Sequence, residues 1–126
     1  LLAAGKWKDA DQETLAVMLK ATGREEERYL NSKSIENFPC TDLRTIDQLW
    51  IQYSKGLFGF SVQKRIWESV GQDYVKFCDR VGWRKVNRIW LSYKELTFSL
   101  NAPQGHLPKR DGVLGIFFSR VQTCKV

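Results

Sequence analysis

An all-α domain of six to eight short helices is the fold this sequence predicts. Three observations carry that expectation. Apolar residues recur at i, i+3/i+4 and i+7 through most of the chain. Glycines at 23, 56, 71 and 82 close those stripes one after another. The 126 residues suffice for one domain with a core of useful size.

The elements follow in order. Ala10, Thr14, Val17, Met18 and Ala21 share one helical face. Leu15 and Leu19 lie off it, which predicts a helix buried on two sides. Asp9, Asp11 and Glu13 suit its positive N-terminal end, and Gly23 stops it. Pro39, with Thr41 and Asp42 as candidate caps, opens a helix carrying Leu43, Ile46, Leu49, Trp50 and Tyr53. Gly56 to Phe60 reads as a tight connection packed onto the core. Ser61 caps a short helix running to about Val70, with Val62, Ile66 and Trp67 inward. Gln72 or Asp73 starts the next, with Tyr74, Phe77, Cys78 and Val81 on one face. Ser92-Tyr93-Lys94-Glu95 matches a capping box and predicts a short helix there. Residues 101–112 hold two prolines, two glycines and a basic pair, and read as a long surface loop outside the core. Gly115 to Val121 fits a terminal helix better than a lone strand.

Composition narrows the function. Hydrophobic residues are 43% and charged residues 27%, as in globular chains. No apolar run approaches the ~18 residues of a membrane span, and the N-terminus lacks a signal-sequence pattern. The chain opens at Leu1-Leu2-Ala3-Ala4 as if inside a helix, which predicts a truncated N-terminus. Cys40, Cys78 and Cys124 are odd in number, with no C-x-x-C pair. They are expected to be free thiols in a reducing compartment, with Cys78 buried on its apolar stripe. The net charge of +6 is lopsided: residues 1–79 hold 11 Lys+Arg against 12 Asp+Glu, and residues 80–126 hold 9 against 2. An anionic partner for the basic part is therefore expected.

Catalytic constellations are absent. His106 is the one histidine, in a Gly-His-Leu-Pro setting with no nucleophile motif, and is read as structural or ligand-adjacent and not an obligate axial ligand, bonded within its own loop. Phosphate-cradling loops and metal-ligand clusters are missing too. Glu25, Glu26 and Glu27 read as a solvated run. The aromatic residues of the basic third are more informative. Trp83, Trp90, Tyr93 and Phe98, with Ile89 among them, interleave with Arg84, Lys85, Arg88, Lys94, Lys109 and Arg110. Aromatics with cations suit stacked bases and phosphates, or a flat apolar macrocycle with carboxylates.

Several blocks resemble one family. Phe38-Pro39-Cys40-Thr41-Asp42-Leu43-Arg44 to Trp50 and Phe58-Gly59-Phe60-Ser61-Val62 to Trp67 are similar to the signatures of the genomes-uncoupled-four family. Gly82-Trp83-Arg84, Leu96-Thr97-Phe98, and Ala102-Pro103 to Gly105-His106-Leu107-Pro108 follow in its order. Gly5-Lys6-Trp7-Lys8-Asp9-Ala10-Asp11 resembles its opening. The resemblance covers nearly the whole chain. It implies a cupped-hand helical core with a hydrophobic palm, here as one porphyrin-binding core domain over residues 1–126. It also implies binding of protoporphyrin IX and magnesium protoporphyrin IX, without catalysis. Activation of magnesium chelatase through its large porphyrin-binding subunit follows, in chlorophyll biosynthesis. So does a monomer in cyanobacterial cytoplasm or chloroplast stroma, peripherally associated with thylakoid or envelope membranes.

The expected porphyrin-binding residues are Val17, Trp83, Ile89, Trp90, Tyr93, Phe98, Leu107, Lys109 and Arg110. Leu107 and Pro108 would cover the ring, and Arg110 would pair a propionate. Two rivals stay open: a sensor or interaction domain of a larger signalling protein, and a basic nucleic-acid-binding module. No recognised nucleic-acid motif supports the latter.

Overall fold

The computed structural model describes residues 2–85, 89–109 and 114–126. Among these, six α-helices and one 3-10 turn account for the regular structure: α1 (Trp7–Ala21), α2 (Ser32–Glu36), α3 (Cys40–Ser54), α4 (Phe60–Ser69), α5 (Tyr74–Arg80), the turn Tyr93–Glu95 and α6 (Leu114–Thr123). The all-α expectation holds.

Helix α1 buries Trp7, Ala10, Asp11, Thr14, Met18 and Leu19. Thr14 lets a polar residue sit on this face at no cost in unpaired groups. Its hydroxyl donates to Ala10 O (2.7 Å) and accepts from Trp50 Nε1 (3.0 Å). The off-stripe leucines do give α1 a second contact surface: Leu19 is buried and Leu15 half-buried. Val17, on the stripe by periodicity, is instead exposed, as are Leu49 and Tyr53 of α3. The outer edges of both stripes face a shallow groove between the two helices.

Helix α2 has one buried apolar residue, Ile35, so no stripe announces it. A local device supports it: Asn31 Oδ1 accepts from Ser34 N (2.8 Å) while Ser34 Oγ accepts from Asn31 N (2.9 Å). At α3 the expected caps Thr41 and Asp42 lie inside the helix. Pro39 is the N-cap, and no side chain satisfies the first turn. For α4 the cap comes from another helix. Asp47, buried on α3, accepts from Ser61 N at 2.8 Å. Gly59 makes that approach feasible. Its φ is +130°, and a Cβ there would stand 2.9 Å from Asp47 Oδ1 and 3.1 Å from Ile51 Cγ1. Helix α5 starts at Asp73, whose carboxylate accepts from Lys76 N (3.0 Å). Ser92 and Glu95 form the expected capping box, around a 3-10 turn.

Two aromatic groups fill the core. Trp7, Trp50 and Phe58 lie within 6.2 Å of one another, centroid to centroid. Trp67, Phe77, Trp83, Phe117 and Phe118 form the second group, mostly edge to face.

The segment after Ser99 corrects the sequence reading. Expected outside the core, it places Ala102, Gly105, His106, Leu107 and Pro108 in the interior. Its backbone is held there: Gly105 N donates to Leu57 O (2.8 Å) and Leu107 O accepts from Gly59 N (3.1 Å). Gln63 Nε2 donates to Gly105 O and Pro108 O. Buried backbone polar groups need partners, and here neighbouring elements supply them. Polar composition predicted a surface loop because those partners lie some 40 residues away in the chain.

The cysteines are the second correction. Cys78 is free and buried as expected, and burial pushes its thiol up to about 11. Cys40 and Cys124, expected as free thiols, form a disulfide with Cα atoms 5.1 Å apart across 84 residues. Short-range spacing carries no information about it. The packing of α6 on α2 and α4 brings its C-terminus to the start of α3.

Candidate functional site

A cleft of about 400 Å³ opens between α1, the Arg28–Leu30 segment and the start of α6. Leu15, Ile35, Leu114 and Phe117 make its apolar lining. Leu30 and Tyr29 border it from the connection between α1 and α2. Arg24 shapes that connection: its Nε donates to Tyr29 O (2.9 Å) and its guanidinium lies 4.9 Å from the Tyr29 ring centroid.

Polar groups gather at one side. Asp11 is buried, and Tyr93 OH donates to its Oδ2 at 2.5 Å. Lys109 N donates to its Oδ1 at 2.7 Å. One carboxylate thus ties α1 to the 3-10 turn and to the residue just before 110–113. The Lys109 ammonium lies 4.6 Å from the Trp83 ring centroid. Arg28 supplies a second cation, and its φ of +63° departs from the usual backbone region.

His106 fixes the far side of this wall. Thr97 N donates to its Nε2 (3.0 Å), so the ring proton is on Nδ1, which donates to Val81 O (2.7 Å). Burial lowers its pKa and keeps it neutral. The side chain is structural, as expected, but it joins three segments and not merely its own loop. Trp83 Nε1 donates to His106 O (2.8 Å), which locks the indole in place.

The residues expected at the site do not gather in one place. Tyr93 and Lys109 line the cleft. Phe98 stands behind Tyr93, 5.2 Å between centroids, with the Lys8 ammonium 5.9 Å from its own. Trp83 and Leu107 are core residues, 2% and 0% exposed. Ile89 and Trp90 are exposed; Trp90 packs on Tyr74, and the Arg84 guanidinium lies 5.6 Å from its centroid. Val17 lines the α1–α3 groove with Leu49 and Tyr53, not the cleft. Arg110 and Arg88 lie outside the described residues.

Sequence reasoning missed Asp11 and the Arg28–Leu30 wall. An acid between Trp7 and Thr14 on a buried stripe was a legible signal for the first. Nothing in a charged connection signals the second. Among the described residues, no group of three or more His, Cys, Asp or Glu could hold a metal ion.

Comparison with known proteins places the chain. The family model described as GUN4-like matches residues 1–122. The Ycf53-like protein of Synechocystis is 39% identical over 99 residues, which cover 78% of this chain and 42% of that protein. The chloroplastic tetrapyrrole-binding protein of Arabidopsis thaliana is 32% identical over 120 residues, 86% of this chain and 45% of that protein. The chain therefore spans less than half the length of either relative. Two solved structures have the same fold at 30% identity. Ligand-free GUN4 of Arabidopsis thaliana gives a TM-score of 0.82, covering 95% of this chain and 85% of its own. GUN4 of Chlamydomonas reinhardtii gives 0.83, covering 97% and 81%. With the helical order, the buried Asp11 tie and the cleft already in view, the match over residues 1–122 establishes that this chain belongs to the GUN4-like family.

Proposed function

We propose that this domain binds a porphyrin in the cleft between α1 and α6 and hands it to magnesium chelatase without performing catalysis itself. The observation that carries the reading is the cleft's make-up. An apolar lining of Leu15, Ile35, Leu114 and Phe117 meets the cations Arg28 and Lys109 at its border, as a greasy ring with acidic side arms requires. The tetrapyrrole-binding relative in Arabidopsis thaliana supports the ligand class. A non-catalytic role agrees with His106, whose two ring nitrogens are both engaged in holding loops.

The specific ligands are protoporphyrin IX and magnesium protoporphyrin IX. The partner is the large porphyrin-binding subunit of the chelatase, approached by a monomer in cyanobacterial cytoplasm or chloroplast stroma. Contact with thylakoid or envelope membranes would be peripheral; no described helix is long and apolar enough to cross one. Tyr93, Lys109 and Arg110 would meet the ligand directly. Phe98 would support Tyr93 from behind. Trp83 and Leu107 would act from the core, by fixing the wall.

Covering one macrocycle face, on the order of 300 Å², contributes roughly 7 kcal/mol before association costs. Added charge-assisted bonds bring micromolar affinity within reach. Titrating protoporphyrin IX while following tryptophan emission tests this. Saturable quenching at micromolar concentrations is expected; unquenched emission at tens of micromolar would refute it.

A further inference from the structure

We propose that Cys40–Cys124 is a thiol–disulfide exchange site, opened by a dithiol reductant, that controls how firmly α6 closes the cleft. Four observations support it. The bond joins the first residue of α3 to the residue just beyond α6. Cys40 is only half-buried, so a reductant can reach that end, whereas Cys124 is buried. Helix α3 begins with Pro39 as N-cap and no side-chain cap on its first N–H groups. A thiolate on Cys40 would therefore meet an uncapped, positively polarised helix end. Finally, α6 carries Leu114 and Phe117, two of the cleft's apolar lining residues, and is tethered near its far end by this bond.

The exchange balances simply. A thiolate of the reductant attacks Cys40 Sγ, the S–S bond breaks, and the electron pair leaves on Cys124 Sγ, which takes up a proton. The second thiol of the reductant then attacks its own sulfur in the mixed disulfide. Cys40 leaves as a thiolate, its charge meeting the uncapped N–H groups at the start of α3. Two electrons pass from reductant to protein, and the reductant ends as a disulfide.

Opening the bond does not release α6 completely. Arg120 Nε and Nη2 still donate to Phe38 O (3.0 and 2.7 Å), and Arg44 Nη1 donates to Cys124 O at 2.6 Å. These contacts hold the same junction without a covalent bond, so the reduced helix stays docked but looser. The expected consequence is a weaker cleft in a folded protein. That part rests on the porphyrin reading; the exchange itself does not.

The test begins with the native chain in dithiothreitol, followed by alkylation with iodoacetamide and mass measurement. One label, on half-buried Cys40, is expected before unfolding, with buried Cys124 and Cys78 labelled only once denaturant is added. The melting temperature should fall by about 10 °C or more. Cys124→Ser should melt like the reduced protein and ignore the reductant. Protoporphyrin IX should bind the oxidised form several-fold more tightly than the reduced form or Cys124→Ser. A disulfide that resists dithiothreitol until the chain unfolds would overturn the exchange site. Equal porphyrin affinity in all three forms would overturn the control of the cleft. If the oxidised form binds no porphyrin, the ligand reading fails, and the labelling and melting results still decide the exchange.

Discussion

Single residues set both the charge state and the shape of the cleft wall. His106 is neutral because burial disfavours its charged form, and because a second ring proton would face the Thr97 N–H. Its folded pKa is depressed below 6.5, so below that pH the unfolded chain binds the extra proton first. Stability from this group is full above 6.5 and is lost as pH falls through the window beneath it. The slope is at most about 1.4 kcal/mol per pH unit. Urea unfolding at stepped pH values below 7 should show this loss, and His106→Gln should lack it while being less stable at pH 7. Asp11 is the other pivotal residue. Asp11→Ala removes the carboxylate that Tyr93 OH and Lys109 N donate to, at about 2–3 kcal/mol by denaturant titration, and weakens porphyrin binding several-fold. Arg110→Ala should behave differently, weakening binding roughly tenfold to a hundredfold with stability nearly unchanged. A porphyrin with esterified propionates should bind wild type about as poorly, and the two losses should not add.

Some elements in this small domain are started by a neighbour and not by their own residues. The α3–α4 corner shows it best. Asp47 caps α4 from α3, and Gly59 supplies the space and the φ of +130° that let the two approach. Gly59→Ala adds a Cβ against a carboxylate oxygen and Ile51, in a backbone region closed to it. A loss of about 2–4 kcal/mol is expected in thermal or urea unfolding. Gly105 is tight in the same way, since a Cβ there would lie 2.7 Å from Ile66 Cδ1. That contact explains why a Pro/Gly-rich segment occupies the interior. Its small residues let backbone pass close to α4 where larger ones would collide.

Across the whole molecule, one covalent link spans most of the chain. A bond separated by 84 residues removes a large part of the unfolded chain's freedom, on the chain-entropy account about 4–5 kcal/mol. For a domain of this size that corresponds to a melting shift on the order of 15 °C as an upper bound. Differential scanning calorimetry of the oxidised protein against Cys40→Ser/Cys124→Ser should measure it. The double variant should still fold, because the aromatic groups around Trp50 and Trp67 do not depend on the bond.

Local pattern was enough to locate the helices with clear apolar stripes. The sequence's family blocks also pointed to porphyrin chemistry. Periodicity is a local property, so Trp50, Phe77 and the Ser92–Glu95 box could be read from residues a turn or two away. Tertiary packing settled which stripe positions stay wet, as at Val17, Leu49 and Tyr53, because the width of a helix's buried face depends on its neighbour. It alone decided that Leu107 is core, that Cys40 meets Cys124, and that Arg28 and Tyr29 join Tyr93 and Lys109 around one cleft. Each of those outcomes is a contact between segments distant in sequence. Such contacts are fixed by the packing of the helices together, and no short window of residues contains them.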